Sequence, residues 1–356
     1  MTDAKQPARQ PTPFGRIFPP NEAWLGQRPA EEILDPDLPI IDTHHHLWDQ
    51  KKHRYLLPQW LDDVGTREGG GHNVVATVYM ECGSMYRARG PEEMRPVGEV
   101  EFAAGVAAMS ASGLYGPTRV AAGIVGFADL TLGDRVEPVL EASIRAGAGR
   151  YRGVRHAAGW DADPVIGNGH HSEGVGLYGQ ADFRAGLDRL TALGLSLDAW
   201  LYHPQLAELI DLARACPDAN IIMNHCGGLL GYGVYTDKRD EAFAQWRAGM
   251  AELAQCPNVT MKLGGMMMRL AAFDYFNAPA PPTSMELAEL WRPNIETCIE
   301  LFGAERCTFE SNFPVDKMGI GYAALWNAFK HLTAAASPAE REALFSGTAR
   351  RAYRLS

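Results

Sequence analysis

Short apolar or β-branched runs recur along the chain at Ile40–His46, Val74–Met80, Val120–Phe127 and Tyr151–His156, and again at Leu195–Leu201, Asn220–His225, Val259–Leu263 and Cys307–Asn312. Runs of this length, bounded by turn residues, predict buried strands. Between them the apolar positions change to helical spacing, as at Ala103, Val106 and Ala107, at Val139, Ala142 and Ile144, and at Leu206, Leu209, Ile210 and Ala213 within Gln205–Cys216. Strand then helix, eight times over, predicts an α/β chain folded as a (β/α)8 TIM barrel, although a doubly wound open sheet gives the same alternation with fewer strands. Three connections, Cys82–Arg119, Ala157–Phe183 and Gly264–Asn294, exceed the usual few residues, so the barrel is expected to carry long βα loops.

The position of the polar residues favours the barrel. His46, Glu81, Asp129, Arg155, His156, His203, His225, Glu310 and Asn312 all fall at or just past the ends of the predicted strands, and that end is where TIM-barrel chemistry is built. A length of 356 residues suits one such domain. Residues 1–38 read as a polar, proline-rich tail and lead-in, with Phe14 to Trp24 able to pack on the body, and residues 39–356 as the barrel.

Composition then narrows the partners. With 46% hydrophobic and 21% charged residues the chain is an ordinary globular protein. A net charge of −10 and the lack of a basic run argue against nucleic acid and anionic membranes, leaving a small-molecule substrate. The N-terminus has no apolar signal region, no stretch approaches the ~18 apolar residues of a membrane span, and the six cysteines show no C-x-x-C spacing; a reducing, cytoplasmic setting is expected. Met266-Met267-Met268 with Phe273, Tyr275 and Phe276 would serve as an adaptable substrate wall or as packing between subunits of a homo-oligomer. The glycine-rich segment around His170-His171 is a candidate lid. There is no G-x-S-x-G elbow, Walker loop, strand-linked G-x-G-x-x-G or H-E-x-x-H.

The strongest local signal is Ile40-Ile41-Asp42-Thr43-His44-His45-His46. Alternation along a strand puts Asp42, His44 and His46 on one face, so two imidazoles converge on the barrel interior, a chelate suited to zinc or a similar divalent ion. The segment Asp42-Thr43-His44-His45-His46-Leu47-Trp48-Asp49 resembles the first-strand motif of the amidohydrolase superfamily, in particular the branch that contains sugar lactonases and 2-pyrone-4,6-dicarboxylate lactonase. Gly153-Val154-Arg155-His156, Ile221 to Gly227, Phe309 to Pro314 and Ala349 to Leu355 resemble the same branch in the same order.

The resemblance implies a polar barrel mouth in which the H-x-H pair, a later histidine and a strand-eight aspartate bind a metal or polarise a carbonyl, the aspartate taking the proton of the attacking water. His44 and His46 are then the metal candidates, with one divalent ion or metal-free catalysis both open, since members of the branch occur with and without metal. This chain departs from the pattern at Asn312, where the aspartate is expected; an amide cannot act as a base near neutral pH. Asp316 and Glu310 are the candidate replacements, and His225, ending an apolar strand before a glycine turn, is a candidate catalytic residue. Arg155 suits a substrate carboxylate or an ion pair with Glu81 or Asp129; His156, Glu81 and His203 are further substrate-binding candidates. The expected reaction is hydrolysis of a small lactone or cyclic ester bearing a carboxylate or hydroxyls. A metal-dependent decarboxylase and, because of Asn312, a barrel that binds a metabolite without turnover are the alternatives.

Overall fold

A computed structural model describes residues 19–50, 53–65, 71–169, 171–172, 174–268, 271 and 278–356. The eight apolar runs form one parallel sheet of strands β1 (Ile40–His45), β2 (Val74–Met80), β3 (Arg119–Gly126), β4 (Tyr151–Arg155), β5 (Ser196–Ala199), β6 (Asn220–Met223), β7 (Val259–Leu263) and β8 (Cys307–Phe309), each beside its neighbour in sequence. The seam between β8 and β1 closes just past the end of β8. Asn312 N donates to His44 O at 2.8 Å and His46 N to Phe313 O at 2.7 Å, while the Thr43 hydroxyl donates to Phe309 O.

A helix follows each strand. After β1 come a small hairpin, Trp48–Gln50 with His53–Tyr55, and the helix Leu57–Val64; then Val97–Ala111, Glu137–Ala146, Ala181–Ala192, Leu206–Ala215, Arg239–Leu253, Ser284–Phe302 and Tyr322–Leu332 follow β2 to β8 in order. The expected stripe of the helix after β5 is buried, with Leu206, Leu209, Ile210 and Ala213 joined by Leu212; each of these leucine and isoleucine side chains stabilises the fold by roughly 1.5–3 kcal/mol. Inside the barrel, away from the loops, Ile41, Val78, Met80, Val125 and Ile222 pack against Tyr353 and Leu355 from the chain's last segment. The chemistry is thereby confined to the opposite end.

β6 and β8 stop earlier than their apolar runs predict, because His225 and Cys226 after the one and Asn312 after the other take positive φ values of 54°, 49° and 54°, and extended backbone cannot pass through that region. The connection expected to run from Gly264 to Asn294 is shorter. Thr283 and Glu286 form a capping box that starts the next helix at Ser284, and Pro293 sits inside that helix without ending it. In the lead-in, Trp24 Nε1 donates to Ala278 O and Leu34 N to Asn327 Oδ1, both at 3.0 Å. The tail to residue 18 with Phe14, and His170, Phe273, Tyr275 and Phe276, lie outside the described residues. Among the described residues, no helix is long and apolar enough to cross a membrane.

Candidate active site

Period two alone does not orient β1. Its register pairs Asp42 with Thr77 and His45 with Tyr79, so three steps of β1 oppose two of β2 and the extra residue makes a bulge. Below the bulge Ile41 points into the barrel. Asp42 therefore points out, where its carboxylate accepts from Ser311 N at 2.9 Å and Tyr322 OH at 3.0 Å. Beyond the bulge His44 and His46 turn inward, and His45 turns outward to Thr77 Oγ1 and the rings of Trp60 and Tyr79. The expected inward face of Asp42, His44 and His46 thus keeps only its two histidines.

Glu310 joins the histidines. Its Oε2 lies 2.8 Å from His44 Nδ1, and its Oε1 accepts from both Nδ1 and the backbone N of His225, at 2.7 and 2.9 Å. The His44 and His225 ring centroids are 4.7 Å apart. Burial alone would raise the Glu310 pKa, but the His225 contacts and Lys262 at 4.0 Å outweigh it and hold the carboxyl below its ordinary value. Lys262 is itself anchored, its Nζ donating to Thr43 O and lying 2.9 Å from Asp198 Oδ1, which also receives Tyr353 OH at 2.7 Å. A carboxylate on each Nδ1 places the proton there and leaves Nε2 as the lone-pair nitrogen of both His44 and His225.

His46 is fixed in the same sense, because its Nδ1 lies 2.9 Å from Met80 O, an acceptor. The Nε2 atoms of His44 and His46 then face each other at 3.2 Å. Burial above all, helped by Lys262 at His44 and by Arg155 at His46, lowers both pKa values well below the ordinary histidine value, so the pair is neutral. Two lone pairs at this separation match the ~3.3 Å between two nitrogens on a tetrahedral zinc ion. In addition, His44, His225 and Glu310 hold donor atoms within 4.8 Å of one another, a group able to hold a metal ion. Arg155 Nη1, 3.2 Å from His44 Nε2, borders the same position with a permanent positive charge.

The remaining candidates divide by location. Arg155 reaches the interior, where its Nε donates to Glu81 Oε1 at 2.6 Å and its Nη2 to Glu81 O; burial opposes its charge, but Glu81 overcomes that and raises its pKa. His171 stacks on Phe127 at 3.7 Å and lies 3.7 Å from Glu81 Oε2, so part of the glycine-rich loop covers this side of the mouth. His156 faces the helix layer, accepting from Leu130 N and packing on Phe127 and Phe183. His203 accepts from Leu230 N and packs on Tyr235. Asn312 Nδ2 donates to Asp316 Oδ1 at 2.9 Å, and Met267 N donates to Asp316 Oδ2 at 3.3 Å. Asp316 is fully buried, and burial pushes its pKa well above the ordinary value. Glu310, rather than Asp316, is thus the carboxylate that the fold brings against the imidazoles.

A small pocket opens beside His225, lined by Trp200, Tyr202, Leu229, Leu230, Met266 and Met268 among others. Trp200, which escaped the sequence reading, sits one residue past β5 and could have been found as a large side chain at a strand end. Gly264 and Gly265 also escaped it. Gly265 has φ +65°, and a Cβ there would stand 1.8 Å from His225 Nδ1; at Gly264, φ +148°, a Cβ would meet Glu310 O at 2.3 Å. Both must be glycine for His225 and Glu310 to sit where they do.

Comparison with known proteins agrees with the barrel fold. A family model described as amidohydrolase matches residues 41–355. An uncharacterized protein of Sinorhizobium fredii is 32% identical over 339 residues, covering 90% of this chain and 99% of its own. An L-fucono-1,5-lactonase of Burkholderia multivorans is 26% identical over 330 residues, covering 88% and 96%. The crystal structure of an amidohydrolase from Burkholderia multivorans with bound zinc superposes with a TM-score of 0.67 at 23% identity, over 89% of this chain and 99% of that one.

Proposed function

The chain belongs to the amidohydrolase family, and on that premise we propose that it opens a small lactone or cyclic ester by hydrolysis. The observation that carries the reading is the Glu310–His225 dyad: a buried carboxylate holds Nδ1–H of an imidazole whose Nε2 is left to accept a proton at the edge of a pocket. The relative named as an L-fucono-1,5-lactonase supports the choice of a lactone. His225 Nε2 takes a proton from water as the water oxygen bonds to the lactone carbonyl carbon. The negative oxygen that forms is stabilised by Arg155, which Glu81 keeps charged and in place. As the ring C–O bond breaks, the imidazolium returns the proton to the leaving oxygen, and a hydroxy acid results. In this scheme Glu310 replaces the aspartate missing at Asn312 by orienting the base, and Asp316 supports the loops.

The donors present fit a zinc-type ion, through the Nε2 pair of His44 and His46 or through His44, His225 and Glu310. Bound at the Nε2 pair, such an ion supplies Lewis acidity to the carbonyl. The test is to purify the chain without a histidine tag, measure its metal content, and follow ring opening of a lactone panel with a pH indicator, with and without chelator. Turnover is expected, and His225→Asn should lower kcat/KM by about 10²–10⁴-fold. Release of carbon dioxide from an aromatic acid, with no lactone opened, would overturn the proposal.

A further inference from the structure

The pocket beside His225 says what the substrate carries. Its walls are the indole of Trp200, the ring of Tyr202, Leu229, Leu230 and the flexible thioethers Met266 and Met268. No Asp, Glu, Lys or Arg is among the described residues that line it, whose titratable side chains are the imidazole of His225 and the phenol of Tyr202. Among the described residues, the charged groups of the site lie elsewhere and are already engaged. Arg155 is bound to Glu81, and Lys262 to Asp198 and Thr43 O beneath the imidazoles. Asp316 is held by Asn312 and by the backbone of Met267, between the two lining methionines.

Resting on the lactonase reading above, we infer that this pocket is an apolar subsite, and that the preferred substrate is a lactone bearing an alkyl or aryl substituent rather than a polyhydroxylated ring. Two physical effects point the same way. Each methylene moved from water onto such a wall strengthens binding by about fourfold. A sugar hydroxyl placed there loses its water and finds few partners, which costs affinity. The contact between the indole of Trp200 and the ring of His225, with centroids 6.1 Å apart, puts the substituent next to the base. Binding it therefore also orients the carbonyl.

Three lactones of one ring size test this: δ-valerolactone, its butyl-substituted form δ-nonalactone, and the polyhydroxylated glucono-δ-lactone. The expected result is a kcat/KM for the butyl compound at least about tenfold above that of the parent, half or less of what four methylenes could supply, with the hydroxylated ring below the butyl compound. In Trp200→Ala the butyl-to-parent ratio should fall towards one. A hydroxylated lactone opened as fast as the butyl one, or a ratio untouched in Trp200→Ala, overturns the subsite while leaving the lactonase reading standing. If no lactone is opened, that reading falls and binding decides the subsite separately. A saturable fluorescence change with 2-butyltetrahydropyran, absent with tetrahydropyran and lost in Trp200→Phe, upholds it, and no such change refutes it.

Discussion

Gly265→Ala puts one methyl group against the base. A Cβ at this position would stand 1.8 Å from His225 Nδ1, whereas ordinary contact begins at 3.4 Å, so the ring has to retreat by about 1.6 Å or the backbone after β7 has to move. Either response breaks the 2.7 Å bond from His225 Nδ1 to Glu310. A catalytic group misplaced by ~1 Å costs about 10²-fold in rate, and losing general-base catalysis altogether costs about 10²–10⁴. The expected loss in kcat/KM on a lactone substrate is therefore about 10²–10⁴-fold, or ~3–5.5 kcal/mol of transition-state stabilisation. The φ of +65° adds roughly 1–2 kcal/mol of strain to the folded state, which a urea titration at the assay temperature reads separately. Gly105→Ala is the control. It lies within the helix Val97–Ala111, a Cβ there meets nothing within 4 Å, and stability should rise by up to ~1 kcal/mol with activity unchanged. A Gly265→Ala enzyme that keeps more than a third of wild-type kcat/KM would refute the claim that the His225–Glu310 geometry carries the reaction.

Glu310→Gln should lower kcat by about 10²-fold or more, while Asp316→Asn should cost far less activity and about 1–3 kcal/mol of stability, because one of its two hydrogen bonds from Asn312 and Met267 meets a donor; equal kinetic losses in the two variants would contradict the division of roles. Calorimetric titration of metal-free protein with zinc should show about one equivalent bound, weakened about 10–100-fold in Glu310→Gln, and an unchanged affinity would remove Glu310 from the site. Glu99 has its pKa raised to about 7, first by burial and then by Glu81, against hydrogen bonds from Cys82 N, Ser84 N and Tyr79 OH. A raised carboxyl favours the protonated fold, so its stabilising contribution is complete below about 4.5 and is lost as pH rises through about 7. Urea midpoints across this window should fall in wild type relative to Glu99→Gln; parallel curves would show that Glu99 does not titrate as stated.

Much of the fold was legible because barrel strands advertise themselves. Runs such as Val74–Met80 and Val259–Leu263 are mostly apolar or β-branched, and their observed limits match the pattern residue for residue. His44, His46, His225 and Glu310 were legible as well, since buried imidazoles and a carboxylate at strand ends stand out against such runs. Less legible was which way each one points. The bulge in β1 that sends Asp42 outward depends on pairing with β2, and the choice of Glu310 over Asp316 depends on how far β8 extends before Asn312 turns it. His156 and His203 lie at strand ends too, yet one ring nitrogen of each is taken up by a backbone N–H, from Leu130 and Leu230, in the neighbouring βα connections.

The sequence by itself determined the alternation of strand and helix, the family motifs and the inventory of ionisable groups, because these follow from local periodicity and residue chemistry. Tertiary structure alone decided which nitrogen of each histidine keeps its proton, because Glu310 and Met80 O approach from other strands. It also decided that Arg155 is held by Glu81 and that the described walls of the space beside His225 are mostly apolar, because those walls come from segments far apart in the chain, after β5, β6 and β7, and meet only when the barrel closes.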